Sequence, residues 1–210
     1  MYTYGNKIVI SSATSVLKSS TLMPSGQTTV YRTGDDADTS SEGRATDFFT
    51  LNTAPVHADG SATANTTTNR FTDELGGQTY TNDIVIDWST YDNVAETVLG
   101  YRRTLSGSTL LWNDAIDGAL TVSIGSFSTG WRLPNFMELN NICCFENNGR
   151  FNYAPFNLTV SEIWSSTTNP GSSSQAYAFQ SLNTILRGKT SSLPDYLPVR
   201  TFTVSGTSLT

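Results

Sequence analysis

Apolar residues in this chain fall in short runs, and several of those runs alternate with polar residues at every second position. The run "VRTFTV" at 199–204 alternates inward and outward residues, as a half-buried strand requires. In "DIVIDW" at 83–88, Ile84, Ile86 and Trp88 share one strand face while Val85 and Asp87 share the other. Neither this run nor "KIVI" at 7–10 approaches the roughly 20 apolar residues that a membrane helix needs. The chain is therefore expected to be α+β and mainly β, without membrane insertion.

The 210 residues suffice for one large β-rich domain with an extension. Four Trp, 9 Tyr and 10 Phe supply core volume although only 37% of residues are hydrophobic. Charged residues make up 14%, against roughly 25% in ordinary globular domains, so Ser, Thr, Asn and Gly must cover the surface. The net charge of −6 and the lack of a Lys/Arg cluster argue against nucleic acid. The N-terminal "MYTYGNKIVISSATSVLKSS" breaks into Ser and Thr after four apolar positions, unlike a secretory signal.

Residues 1–30 read as an extended β arm, with "KIVI" and "TTVYR" as strand-like runs too poor in apolar residues for their own core. Residues 31–69 read as a polar loop region packed on the domain, with Phe48 and Phe49 pinning it. Asp36, Asp38 and Glu42 have part of the spacing of a calcium loop, but Ser41 stands where such a loop needs glycine. A solvated acidic turn is the stronger reading there, and no cofactor is expected.

"RFTDELGGQTYTNDIVIDW" at 70–88 reads as a hairpin around Gly76 and Gly77. Trp112, Ala115, Ile116 and Ala119 recur at helical spacing, with Ser108 or Thr109 as N-cap. Pro134 opens a second helix over 134–145, whose apolar stripe is Phe136, Leu139, Ile142 and Cys143. Strands are expected at 162–167, 175–180, 184–189 and 199–204, and residues 205–210 form a tail.

Candidate chemistry is sparse. The single histidine, His57, lies in a polar loop and is expected to face solvent. One His and the adjacent Cys143 and Cys144 cannot close a tetrahedral zinc site, and buried thiols late in a helix behave as small apolar groups. Whether the two form a vicinal disulfide stays open. Asp83, Asp87 and Glu138 would be the carboxylates of a glycan hydrolase, the enzymatic alternative. The loops "FENNGRFNYAPFN" and "TTNPGSSSQAY" are rich in amides, hydroxyls and aromatics, suited to polyhydroxylated ligands or protein surfaces. Asn147, Asn148, Arg150, Asn152, Tyr153, Asn169, Ser173 and Gln175 are the expected ligand contacts there.

The elements "RFTDELGGQTYTNDIVIDW", "LLWNDAI", "GWRLPNFMEL", "IWSSTT", "AYAFQ" and "PVRTF" follow one another over 70–204. In this order they resemble the C-type-lectin-like domains at the C-terminus of a bacterial collagen-like adhesin and in phage and prophage structural proteins. The resemblance implies a twisted mixed sheet with two helices and long loops, in which Trp131, Trp164 and Arg200 are core and bracing positions. Arg132 is expected to find a carboxylate or carbonyl partner beneath the sheet, because its guanidinium is a fixed fork of five donors. "WND" at 112–114 matches the letters of a lectin calcium motif but lies on the predicted first helix, so calcium ligation is not transferred. Formylglycine-generating enzymes share the broader fold and use reactive cysteines, whereas this pair lies on a core-facing stripe.

These readings lead to a non-enzymatic virion subunit, assembled in the host cytoplasm. It would be homo-oligomeric, dock on other virion subunits through the arm, and display loops for a host-surface glycan or protein. A purely architectural decoration protein and a bacterial surface adhesin are the non-enzymatic alternatives.

Overall fold

The computed structural model describes residues 27, 29–33, 35, 37–38, 47–107, 109–144, 151–156, 158–159, 162–180, 184–193 and 195–210. Most of the expected arm, with its run at 7–10, lies outside these residues. Among the described residues the chain is mainly β, in two antiparallel sheets with two helices.

The first sheet begins with β1 (Phe71–Thr72) and β2 (Ile84–Asp92), paired with Phe71 opposite Asp87. The connection between them is organised by the Asp73 carboxylate, which accepts from the backbone N–H groups of Leu75, Gly77, Thr79 and Tyr80 and from the Thr79 hydroxyl. Gly76 is required there: its φ is +81°, and a Cβ would stand 2.4 Å from the Ala64 carbonyl oxygen. The chain returns as β3 (Thr97–Arg102), a strand that the sequence reading did not identify.

After β3 the chain makes a long excursion through α1 (Trp112–Leu120), β4 (Trp131–Arg132), α2 (Phe136–Asn141) and the second sheet. That sheet is a meander of β5 (Glu162–Thr168), β6 (Gln175–Gln180) and β7 (Thr184–Gly188). The chain then re-enters the first sheet as β8 (Val199–Ser205), which pairs with β3 on one edge and β4 on the other. Residues 205–210 are not a tail, because β9 (Ser208–Leu209) folds back on β8 and Leu209 is buried.

Strand alternation sorts the core into layers. Ile84, Ile86, Trp88, Val98, Phe202 and Val204 pack with Trp131 on one face of the first sheet. Val85, Tyr101 and Val199 face the opposite way, into a cluster with Leu139, Ile142, Phe151, Tyr153 and Phe179 that joins the two sheets. Ala115 and Ala119 of α1 pack with Trp164, Ala176 and Ala178 of the second sheet. Phe48 joins the layer of Leu139, so the segment from 47 onward shares the domain's core.

Both helices differ from their expected bounds for tertiary reasons. Helix α1 starts at Trp112 behind Leu111, without a side-chain cap, because the Trp112 indole donates to the Ser165 carbonyl and its backbone N–H to that of Lys189. Ser108, one of the two expected caps, lies outside the described residues. Helix α2 ends at Asn141 instead of 145. Its last carbonyls are claimed from outside, that of Asn141 by Arg70 and that of Ile142 by the Tyr153 hydroxyl. Cys143 and Cys144 consequently lie beyond the helix but remain buried thiols.

Candidate functional site

The segment from Trp131 to Asn141 builds its own brace. Pro134 follows β4, Asn135 caps α2 by accepting from the Glu138 backbone N–H, and the Glu138 carboxylate accepts in return from the Asn135 N–H. The same carboxylate receives both arms of the Arg132 guanidinium, at 2.7 and 2.5 Å. Arg132 is thus paired, but its side chain is 40% exposed at the sheet edge instead of enclosed beneath it. Trp131 is 1% exposed, donates its indole N–H to the Phe127 carbonyl and meets Phe202 edge-on. Trp164 is fully buried and donates to the Leu110 carbonyl. Arg200, opposite Trp131 in the sheet, lays its guanidinium over Phe127 and Phe202 and donates to the Thr129 carbonyl.

The enclosed arginine is Arg70. Its guanidinium donates in parallel to the two Asp87 oxygens at 2.9 Å and further to the carbonyls of Asn141 and Phe48. The rings of Phe48 and Phe71 cover it, with centroids at 4.5 and 4.7 Å. Asp87 is 0% exposed and also accepts from Asn141 Nδ2 and the Ser89 hydroxyl. This network ties the start of β1 to β2 and to the end of α2. Burial alone would push Arg70 toward neutrality, but the adjacent carboxylate outweighs it and holds the guanidinium pKa above its ordinary value.

The three carboxylates of the hydrolase alternative are dispersed among three arginines: Asp83 with Arg102, Asp87 with Arg70, and Glu138 with Arg132. His57 departs from its expected exposure. It is 4% exposed because Nε2 donates to the Gly206 carbonyl at 3.0 Å and Nδ1 faces Glu96 at 3.2 Å and the Tyr91 hydroxyl at 3.4 Å. The Gly206 hydrogen bond most, and the Glu96 carboxylate after it, raise its pKa against the opposing effect of burial.

The expected ligand contacts divide. Asn147, Asn148 and Arg150 lie outside the described residues. Asn152 is exposed. Tyr153 is not a surface residue: it packs on Phe48, Phe71 and Phe156 and donates its hydroxyl to the Ile142 carbonyl. Burial pushes its phenol pKa well up. Its replacement would open the core. Asn169, Ser173 and Gln175 come together in the β5–β6 turn, where Asn169 Nδ2 donates to Gln175 Oε1 and Ser173 is exposed.

The acidic stretch offers a partial view. Asp36 and Glu42 lie outside the described residues, whereas Asp38 is among them. The neighbouring Asp35 carboxylate is engaged by the backbone N–H groups of Tyr31, Arg32 and Asp38. Among the described residues no group of three or more His, Cys, Asp or Glu side chains converges as a metal site. No helix among them is long and apolar enough to cross a membrane. No protein-family model matches the chain, and no curated protein matches it.

Proposed function

We propose that this chain is a non-enzymatic virion structural protein, an appendage or decoration subunit whose C-type-lectin-like domain displays surface loops to the host. The observation that carries the reading is how the motif residues are used. Trp131, Arg132 and Glu138 lock β4 to α2, Trp164 anchors the second sheet, and Arg200 sits on the strand that closes the first. Such a scaffold leaves its connecting loops to vary without loss of the core, and loops on a rigid scaffold are where binding concentrates. The pairing of Asp83, Asp87 and Glu138 with separate arginines supports a bracing use of these acids over a paired acid–base use.

Mass spectrometry of purified particles, from the phage or prophage whose genome carries the gene, tests the assignment. The chain is expected as a stoichiometric component, and added soluble protein is expected to compete with particle attachment. Absence from the particles overturns the virion reading. Turnover of glycans that is lost in Glu138→Gln overturns the non-enzymatic one.

A further inference from the structure

Away from the β5–β6 turn, a half-open cleft of about 270 Å³ lies between the segment after Asp47, the β1–β2 connection and the loop carrying Pro155. Its volume falls just under the ~300–1,000 Å³ of clefts that take drug-sized ligands, a size suited to one sugar ring. Phe49, Phe71, Tyr80 and Pro155 supply apolar and aromatic surface, and Thr50, Asn69 and Gln78 supply polar groups.

Two properties separate this cleft from ordinary surface. The first is that its aromatic walls are held in place. Phe49 is 36% exposed yet set edge-on against Phe48 and Tyr153, with centroids at 5.0 and 5.6 Å. Tyr80, at φ +52°, donates its hydroxyl to the Phe71 carbonyl and carries the Arg103 guanidinium over its ring. Walls already ordered lose little entropy when a ligand arrives.

The second is that its polar groups are uncommitted. Elsewhere in the neighbouring loops Asp47, Asn65, Asp73 and Thr67 spend their side chains on local turns. The Thr50 hydroxyl and the amides of Asn69 and Gln78, by contrast, have no protein hydrogen-bond partner among the described residues. An amide offers both donor and acceptor, which matches a sugar hydroxyl that is itself both.

We infer that this cleft is a binding site for a neutral pyranose residue of a glycan, with ring C–H groups against Phe49 and Tyr80 and hydroxyls on Asn69 and Gln78. Neutral sugars are favoured over acidic ones because the chain carries net charge −6 and no lysine or arginine among the described residues lines the cleft. The inference rests on the surface-binding reading above and assigns it a ligand class and a place outside the loops first expected to carry it.

Saturation-transfer NMR on the full chain tests it, with the methyl glycosides of glucose and galactose, N-acetylglucosamine and N-acetylgalactosamine as neutral probes and N-acetylneuraminic acid as the acidic one. At least one neutral probe should bind. Gln78→Ala, which removes an exposed amide, should weaken it by about ten-fold or more with unchanged Tm, the loss of roughly one good hydrogen bond. Phe49→Leu, which keeps an apolar side chain but removes the ring, should weaken it similarly. No transfer to any neutral probe, tighter binding of the acidic sugar, or wild-type binding in both variants overturns the site. Those failures leave the virion assignment standing, since particle composition tests that independently.

Discussion

Arg70 and Arg132 carry different weights here. Arg70 and Asp87 are a buried pair with every arm satisfied, so truncating one partner strands the other charge in the core. Arg70→Ala is expected to cost about 3–5 kcal/mol, comparable with the roughly 3–5 kcal/mol of Trp131→Ala. Arg132 stands partly in water, where ion pairs contribute about 0–1 kcal/mol, and Glu138 keeps its capping role without it. Urea denaturation should place Arg70→Ala and Trp131→Ala together, both well below Arg132→Ala, and an Arg132→Ala loss equal to that of Arg70→Ala would contradict it. His57 adds a pH dependence. Its folded pKa lies above the ordinary 6.5, so its stabilising contribution is fully present below 6.5 and is lost as pH rises through the raised folded value. Between about pH 5.5 and about pH 8 the wild-type urea midpoint should therefore fall relative to His57→Gln. Parallel profiles would show that the imidazole contributes through packing alone.

Among the elements, β3 is the strand on which the first sheet turns, because it pairs with β2 on one side and β8 on the other. Its sequence "TVLGYR" carries Gly100 at mid-strand, a residue that weakens strand signals. The glycine is there for space. A Cβ on Gly100 would lie 2.4 Å from Phe202 Cε2 and 2.8 Å from Ile86 Cδ1. Gly100→Ala must displace one of these rings or methyls and should cost about 1–3 kcal/mol. In a chain of this size that lowers Tm by roughly 2–4 °C per kcal/mol, readable by calorimetry. An unchanged Tm would mean that Phe202 swings away freely. Helix α2 shows the opposite balance: six residues are too few to persist alone, and the capping box with Arg132, Arg70 and Tyr153 at its ends holds it.

At the scale of the whole molecule, the first sheet opens with β1 to β3 and is completed only when β8 inserts between β3 and β4. The helices and the second sheet form an excursion between those events. The short alternating runs and the glycine turn after β1 were legible in the sequence, whereas the helix expected from Pro134 begins at Phe136 behind an Asn135 cap that only the structure shows. The legible features rest on period-two patterning or on residues within a few positions of one another. Burial of Arg70, Asp87, His57 and Tyr153 was decided by tertiary structure. Arg70 meets the carbonyl of Asn141, His57 that of Gly206 and Tyr153 that of Ile142. A polar side chain goes inside only where such a partner waits, and no local pattern announces a partner brought in by the fold. The same reason applies to the aromatic cleft. Phe49, Asn69, Tyr80 and Pro155 come from separate segments, and the sequence specified each residue type while the packing of the loops alone made them neighbours.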